Sequence, residues 1–154
     1  MNKKLTVVLD GSGSFAENGK QDVLRAMYCS VGSLAKSFGG SAEFFIWRED
    51  VRPLTKMKEI VAGGRNEIPA LVDFISACPF GTKILLLSDG LWSSDGVAKI
   101  KSAVRQQNIH LIFVAVGADA NRSKIFDVST LGGVWSPVDL PAAVQTILLA
   151  GDVS

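Results

Sequence analysis

Leu5-Thr6-Val7-Val8-Leu9-Asp10-Gly11-Ser12-Gly13-Ser14 decides the reading of this chain. A run of apolar and β-branched residues ends in a carboxylate, and hydroxyls follow at the second and fourth positions after it. The run predicts a buried strand over residues 5–9. Gly11 and Gly13 let the chain turn sharply as it leaves the sheet. Asp10, Ser12 and Ser14 then point into one small volume above the strand's carboxyl end. Oxygen donors of this kind, few of them charged, suit a hard divalent cation that retains waters. A second apolar run, Ile84-Leu85-Leu86-Leu87, ends in Ser88-Asp89-Gly90. If the two strands are neighbours, Asp89 faces the same spot.

Outward from these two strands the elements alternate. Val23, Leu24, Met27, Tyr28, Val31, Leu34, Ala35 and Phe38 form a helical stripe over residues 20–38. Gly39-Gly40 ends it. Residues 42–48 read as a strand, with a hairpin partner over 50–54 whose Pro53 fits an edge position. A helix is expected near 67–77, a strand at 83–88, a helix at 94–107 and a strand at 110–116. A short helix near 121–130 follows, then a brief strand at Val134-Trp135. The last helix, 139–149, carries Pro141 in its first turn. The expected fold is α/β: a doubly wound, mostly parallel central sheet with helices on both faces. Residues 1–154 read as a single domain. In such sheets ligands bind beyond the carboxyl ends of the strands, where Asp10, Ser12, Ser14 and Asp89 all fall.

Composition narrows the function. The chain has 154 residues, 47% of them hydrophobic and 20% charged, as in ordinary globular domains. Lys and Arg number 16 against 15 acids, which gives no electrostatic case for nucleic acid or an anionic membrane. The apolar run before Asp10 is too short for a signal peptide, and no run reaches membrane-spanning length. A cytoplasmic protein is expected. Cys29 and Cys78 read as reduced, buried thiols. His110, the only histidine, opens an apolar strand and suits packing or capping. Zinc chemistry is therefore not expected.

Val8-Leu9-Asp10-Gly11-Ser12-Gly13-Ser14 resembles the D-x-S-x-S signature of von Willebrand factor type A (vWA) domains. Leu87-Ser88-Asp89-Gly90 resembles the second-aspartate motif of that family. Phe45-Ile46-Trp47-Arg48-Glu49-Asp50-Val51 is similar to its third strand and turn, and Ile112-Phe113-Val114-Ala115-Val116-Gly117 to its fifth strand and exit. The motifs fall in order over nearly the whole chain. The resemblance implies a Rossmann-like domain with a metal-ion-dependent adhesion site. Ser12 and Ser14 would be direct ligands of Mg²⁺ or Mn²⁺, and Asp10 and Asp89 would bind mostly through water. An acidic residue of a partner protein would complete the coordination. Stand-alone intracellular bacterial members of the family suggest a partner among MoxR-type AAA+ ATPases or other multi-protein assemblies.

One position departs from the family pattern. Where the family has a threonine in a Gly-Gly-Thr-like setting, this chain has Gly63-Gly64-Arg65-Asn66. Arg65 turns outward with water replacing the hydroxyl, or swings in to pair with Asp10 or Asp89 and makes a metal-free site. With the alignment shifted by one residue, Asn66 is the contributor. Trp92 falls near the rim, for loop packing or for partner contact. Three function classes follow. The first is a non-enzymatic interaction module that binds an acidic group through the ion or through Arg65. The second is a vWA scaffold with a degenerate site that binds by another surface. The third is a phosphatase-like hydrolase, disfavoured because Ser12 stands where such enzymes place their general acid.

Overall fold

The structure, a computed structural model, describes residues 3–13, 19–61, 63–90, 92–117, 120–133 and 135–151. In chain order the strands and α-helices are β1 (Lys3–Asp10), α1 (Lys20–Ser37), β2 (Gly40–Trp47), β3 (Val51–Leu54), α2 (Ile68–Ala77), β4 (Lys83–Ser88), α3 (Ser94–Gln106), β5 (His110–Ala115), α4 (Arg122–Val128) and α5 (Leu140–Leu149). The strands form one sheet in the order β3-β2-β1-β4-β5. Every neighbouring pair is parallel except β2 with β3. Pro53 lies on β3, an edge strand that pairs only with β2, so its missing N–H costs no ladder bond.

The apolar strand centres are buried on both faces because successive side chains alternate. Leu5, Val7 and Leu9 of β1 join Leu85 and Leu87 of β4 and Ile112 and Val114 of β5 on one face. There they pack against Leu24, Met27, Val31 and Ala35 of α1 and against α5. Those α1 residues recur every three or four positions, which gives the helix one apolar stripe. Val8, Leu86 and Phe113 point the other way, toward Leu71 and Ile75 of α2 and Ile100 and Val104 of α3. Each fully buried aliphatic side chain contributes about 1.5–3 kcal/mol.

Boundaries differ from the sequence expectation in small ways. Gly40 opens β2 rather than only ending α1, because a Cβ there would lie 2.5 Å from the Lys3 carbonyl oxygen across the ladder. Trp135 makes a single parallel bridge to Val114, and Val134 lies outside the described residues. Cys29 is exposed on α1 and Cys78 is half-buried, so neither is the fully buried thiol expected from sequence. Both are unpaired, and desolvation pushes the Cys78 thiol pKa up.

Candidate functional site

Strand register builds the site. β1 pairs with β4 so that Leu9 lies opposite Leu87, which places Asp10 beside Ser88 one step on. Both residues have the parity of Val8 and Leu86, so both point to the α2–α3 face. The Ser88 hydroxyl donates to Asp10 Oδ2 at 2.5 Å. Past the strand end the backbone N–H of Ser12 donates to Asp10 Oδ1 at 2.9 Å. Gly11 N donates to the Trp47 carbonyl at 2.8 Å, so the turn hugs the end of β2. A Cβ on Gly11 would lie 2.8 Å from Ile46 Cγ1, which explains the glycine.

The loop after β3 is tied over this turn. Gly13 N donates to Gly64 O at 2.9 Å, and Gly63 N donates to Gly11 O at 3.0 Å. These bonds set the register of the following residues. Asn66 Nδ2 donates to Asp10 Oδ2 at 3.1 Å. Arg65 points away, its side chain 87% exposed, with Glu67 Oε1 at 4.0 Å. Arg65 thus turns outward rather than pairing with Asp10 or Asp89, and Asn66 is the residue of this loop that reaches Asp10, as a hydrogen-bond donor. Glu67 N donates to Arg48 O, and the Trp47 indole donates to Glu67 O, fixing the loop's exit.

Asp89 comes off β4 beside Asp10 and is buried. Its carbonyl accepts from Asn121 N at 2.8 Å. Its Oδ2 lies 3.2 Å from Lys20 Nζ, and both side chains are 2% exposed. Sequence reasoning missed Lys20. It is the first residue of α1, after Gly19 in the left-handed conformation at φ 71°. The positive end of a helix dipole favours acids in that turn, and lysine is almost never buried unless paired. A lysine just inside the helix start was the signal in the sequence that went unread.

Two buried carboxylates and one buried ammonium thus meet at the carboxyl end of β1 and β4. Desolvation raises the Asp10 pKa from 3.8 to about 6, against the lowering effect of its hydrogen bonds to Ser88 and Ser12. The nearby Asp89 charge raises it further.

Sequence placed Trp92 near the rim, with loop packing and partner contact both open, and the structure corrects the partner-contact reading in favour of packing. The side chain is only 5% exposed. It packs edge-on to Trp47, ring centroids 5.5 Å apart, and against Phe113 at 5.1 Å. Trp92 N donates to Gly90 O at 2.8 Å, and Gly90 is left-handed at φ 68°. Ser14 lies outside the described residues.

The residues described fit a divalent ion poorly. Both oxygens of Asp10 accept protein hydrogen bonds, and Asp89 already holds an ammonium. Asn66 presents amide hydrogens rather than a ligand oxygen. Among the described residues no three His, Cys, Asp or Glu side chains gather to hold a metal.

No family model and no curated protein sequence matches the chain. Solved structures match its fold. The conserved hypothetical protein BatB from Bacteroides thetaiotaomicron is 12% identical, with a TM-score of 0.68 over 94% of this chain and 96% of that one. The manganese-loaded TRAP protein of Plasmodium vivax is 12% identical, with a TM-score of 0.67 over 96% of this chain and 73% of that one. The fold is of the vWA type. An aerotolerance-related membrane protein from Bacteroides fragilis, carrying multiple mutations to serines, shares it at 14% identity and a TM-score of 0.62, over 94% of this chain and 96% of that one. Identities this low carry the fold and nothing finer. No helix among the described residues of the present chain is long and apolar enough to cross a membrane.

Proposed function

We propose that this vWA-like domain is a protein-interaction module whose docking face is the carboxyl end of the sheet. The observation that carries the reading is the convergence of Asp10, Ser12 and Asp89 there, with Arg65 exposed on the loop bonded over them. The partner would be a protein presenting an acidic side chain, for example a component of an AAA+ ATPase-linked assembly. Arg65 suits that role because a guanidinium grips a carboxylate with two parallel hydrogen bonds. Its distant contact to Glu67 is solvent-exposed and offers little competition.

An ion-dependent version would place Mg²⁺ or Mn²⁺ near Asp10, Ser12, Ser14 and Asp89, and the manganese-loaded Plasmodium protein of the same fold is the reason to test for it. Lys20 on Asp89 favours an ion-independent one. Hydrolysis has less support. His110 starts β5 and so lies at the opposite end of the sheet, about 17 Å by strand rise from the level of Asp10. No histidine base is therefore at hand for the Ser12 hydroxyl.

The test compares proteins captured by the immobilised wild type, by Arg65→Glu and by Phe80→Ser. Phe80 is exposed at the amino end of the sheet, beside a cleft of about 500 Å³ that also involves Phe45, Phe74 and Thr82. The docking reading expects a partner retained by wild type and Phe80→Ser and lost with Arg65→Glu. Loss with Phe80→Ser alone would move the interaction to the other end of the sheet.

A further inference from the structure

We infer that the ammonium of Lys20 stands in the place of the divalent cation, so that this face is held together and works without metal. The inference refines the docking reading and concerns the same site.

Four observations converge on it. Lys20 Nζ reaches Asp89 Oδ2 at 3.2 Å while its side chain is 2% exposed, so the charge is held inside the protein rather than at its surface. The residue sits just inside the start of α1, where the helix dipole opposes a cation, and a partner carboxylate offsets that opposition. Asp10 is already satisfied by three donors from three segments, Ser12 N, Ser88 Oγ and Asn66 Nδ2. The loop that would supply a ligand hydroxyl supplies the Asn66 amide hydrogens instead and turns Arg65 to solvent.

Charge balance gives the same answer. Asp10 and Asp89, both ionised, carry two negative charges, and a divalent ion alone would neutralise them. With Lys20 present one charge is already cancelled among these described residues. Adding a divalent ion would set a second cation on a carboxylate that already holds an ammonium, an unfavourable arrangement in a low dielectric. Removing the ammonium, by contrast, takes away the positive charge that Asp89 Oδ2 holds at 3.2 Å.

The deciding experiment titrates Mn²⁺ into the chelator-treated full chain, followed by calorimetry and by thermal unfolding, for wild type and Lys20→Ser. No partner is needed, so failure here leaves the docking reading standing. The expected result is no saturable Mn²⁺ binding by wild type and an unchanged melting temperature. Lys20→Ser is expected to bind one Mn²⁺ and to melt about 5–10 °C higher at a hundredfold excess over its dissociation constant. Should Lys20→Ser not fold alone, refolding with Mn²⁺ gives the same readout: rescue by the ion supports the inference and failure of rescue overturns it. Saturable Mn²⁺ binding by wild type, or a folded Lys20→Ser that ignores Mn²⁺, also overturns it.

Discussion

Lowering the pH from 7 to 5 should stabilise this protein, and Asp10 should be the reason. Its carboxyl is lifted from 3.8 to about 6, chiefly by desolvation. Over the full titration that corresponds to about 3 kcal/mol of lost preference for the charged form. The sign follows from proton counts. Between the two pKa values the folded state binds more protons than the unfolded state, so stability falls as pH rises through that window. Evaluated between pH 7 and pH 5, the gain on acidification is about 1.3 kcal/mol. For a chain of this size it shifts the melting temperature by about 3–5 °C. The window is clean on the acid side. Glu59 and Asp139 have lowered pKa values, through bonds from Thr55 and Ser136 respectively, so their contributions are lost mainly below about pH 5. The assay is urea unfolding across that pH range on chelator-treated protein, with Asp10→Asn in parallel. Wild type should gain stability on acidification and Asp10→Asn should lose that slope. A flat wild-type profile, or a slope kept by Asp10→Asn, would refute the assignment of the buried charge to Asp10.

Three further outcomes follow from the same geometry. Trp92→Ala should cost about 3–5 kcal/mol in chemical denaturation, since it empties a ring site shared with Trp47 and Phe113; a loss under 1 kcal/mol would return the indole to the surface. Asn66→Ala removes one donor from Asp10 and should cost about 1–3 kcal/mol in chemical denaturation. Gly11→Ala should destabilise by about 1–3 kcal/mol through overlap with Ile46, and an unchanged melting curve would mean that the turn relaxes freely.

Much of this was legible before any coordinates. Apolar runs that end in Asp10 and Ser88-Asp89 identify two buried strands, and a carboxylate at the end of each must sit at the same edge when the strands pair in parallel. The helix stripes were equally plain, because burial imposes a period that sequence displays. The loop at residues 63–66 has no period. There a shift of one residue exchanges a solvent-facing Arg65 for an inward Asn66, and only the tertiary bonds from Gly13 and Gly63 settle the register. Trp92 left loop packing and partner contact both open in the sequence, because an indole suits either and only its contacts with Trp47 and Phe113 decide between them. Lys20 was lost to a default. Lysine is read as solvated surface, and although its place in the first turn of a helix is a local signal, that signal does not name the acid 69 residues away.

A buried ion pair is a weak way to gain stability. Replacing such a pair by apolar residues is often neutral or favourable by about 1–4 kcal/mol, whereas deleting one partner costs about 3–5 kcal/mol. The Lys20–Asp89 pair, beside an Asp10 whose charge is itself disfavoured, is therefore hard to explain as scaffold engineering. It is easier to explain as a device that keeps charge at a chosen place. If the ammonium fills the cation's role, the two possible cations differ in one physical respect that matters for function. An ion's occupancy follows its concentration, and the face would respond to that concentration. A lysine tethered to α1 is present in every folded molecule. Such a face would then be set by whatever moves α1 or the turn at Gly19, not by metal supply, and partner capture should proceed unchanged in chelator while failing when the Lys20–Asp89 pair is broken.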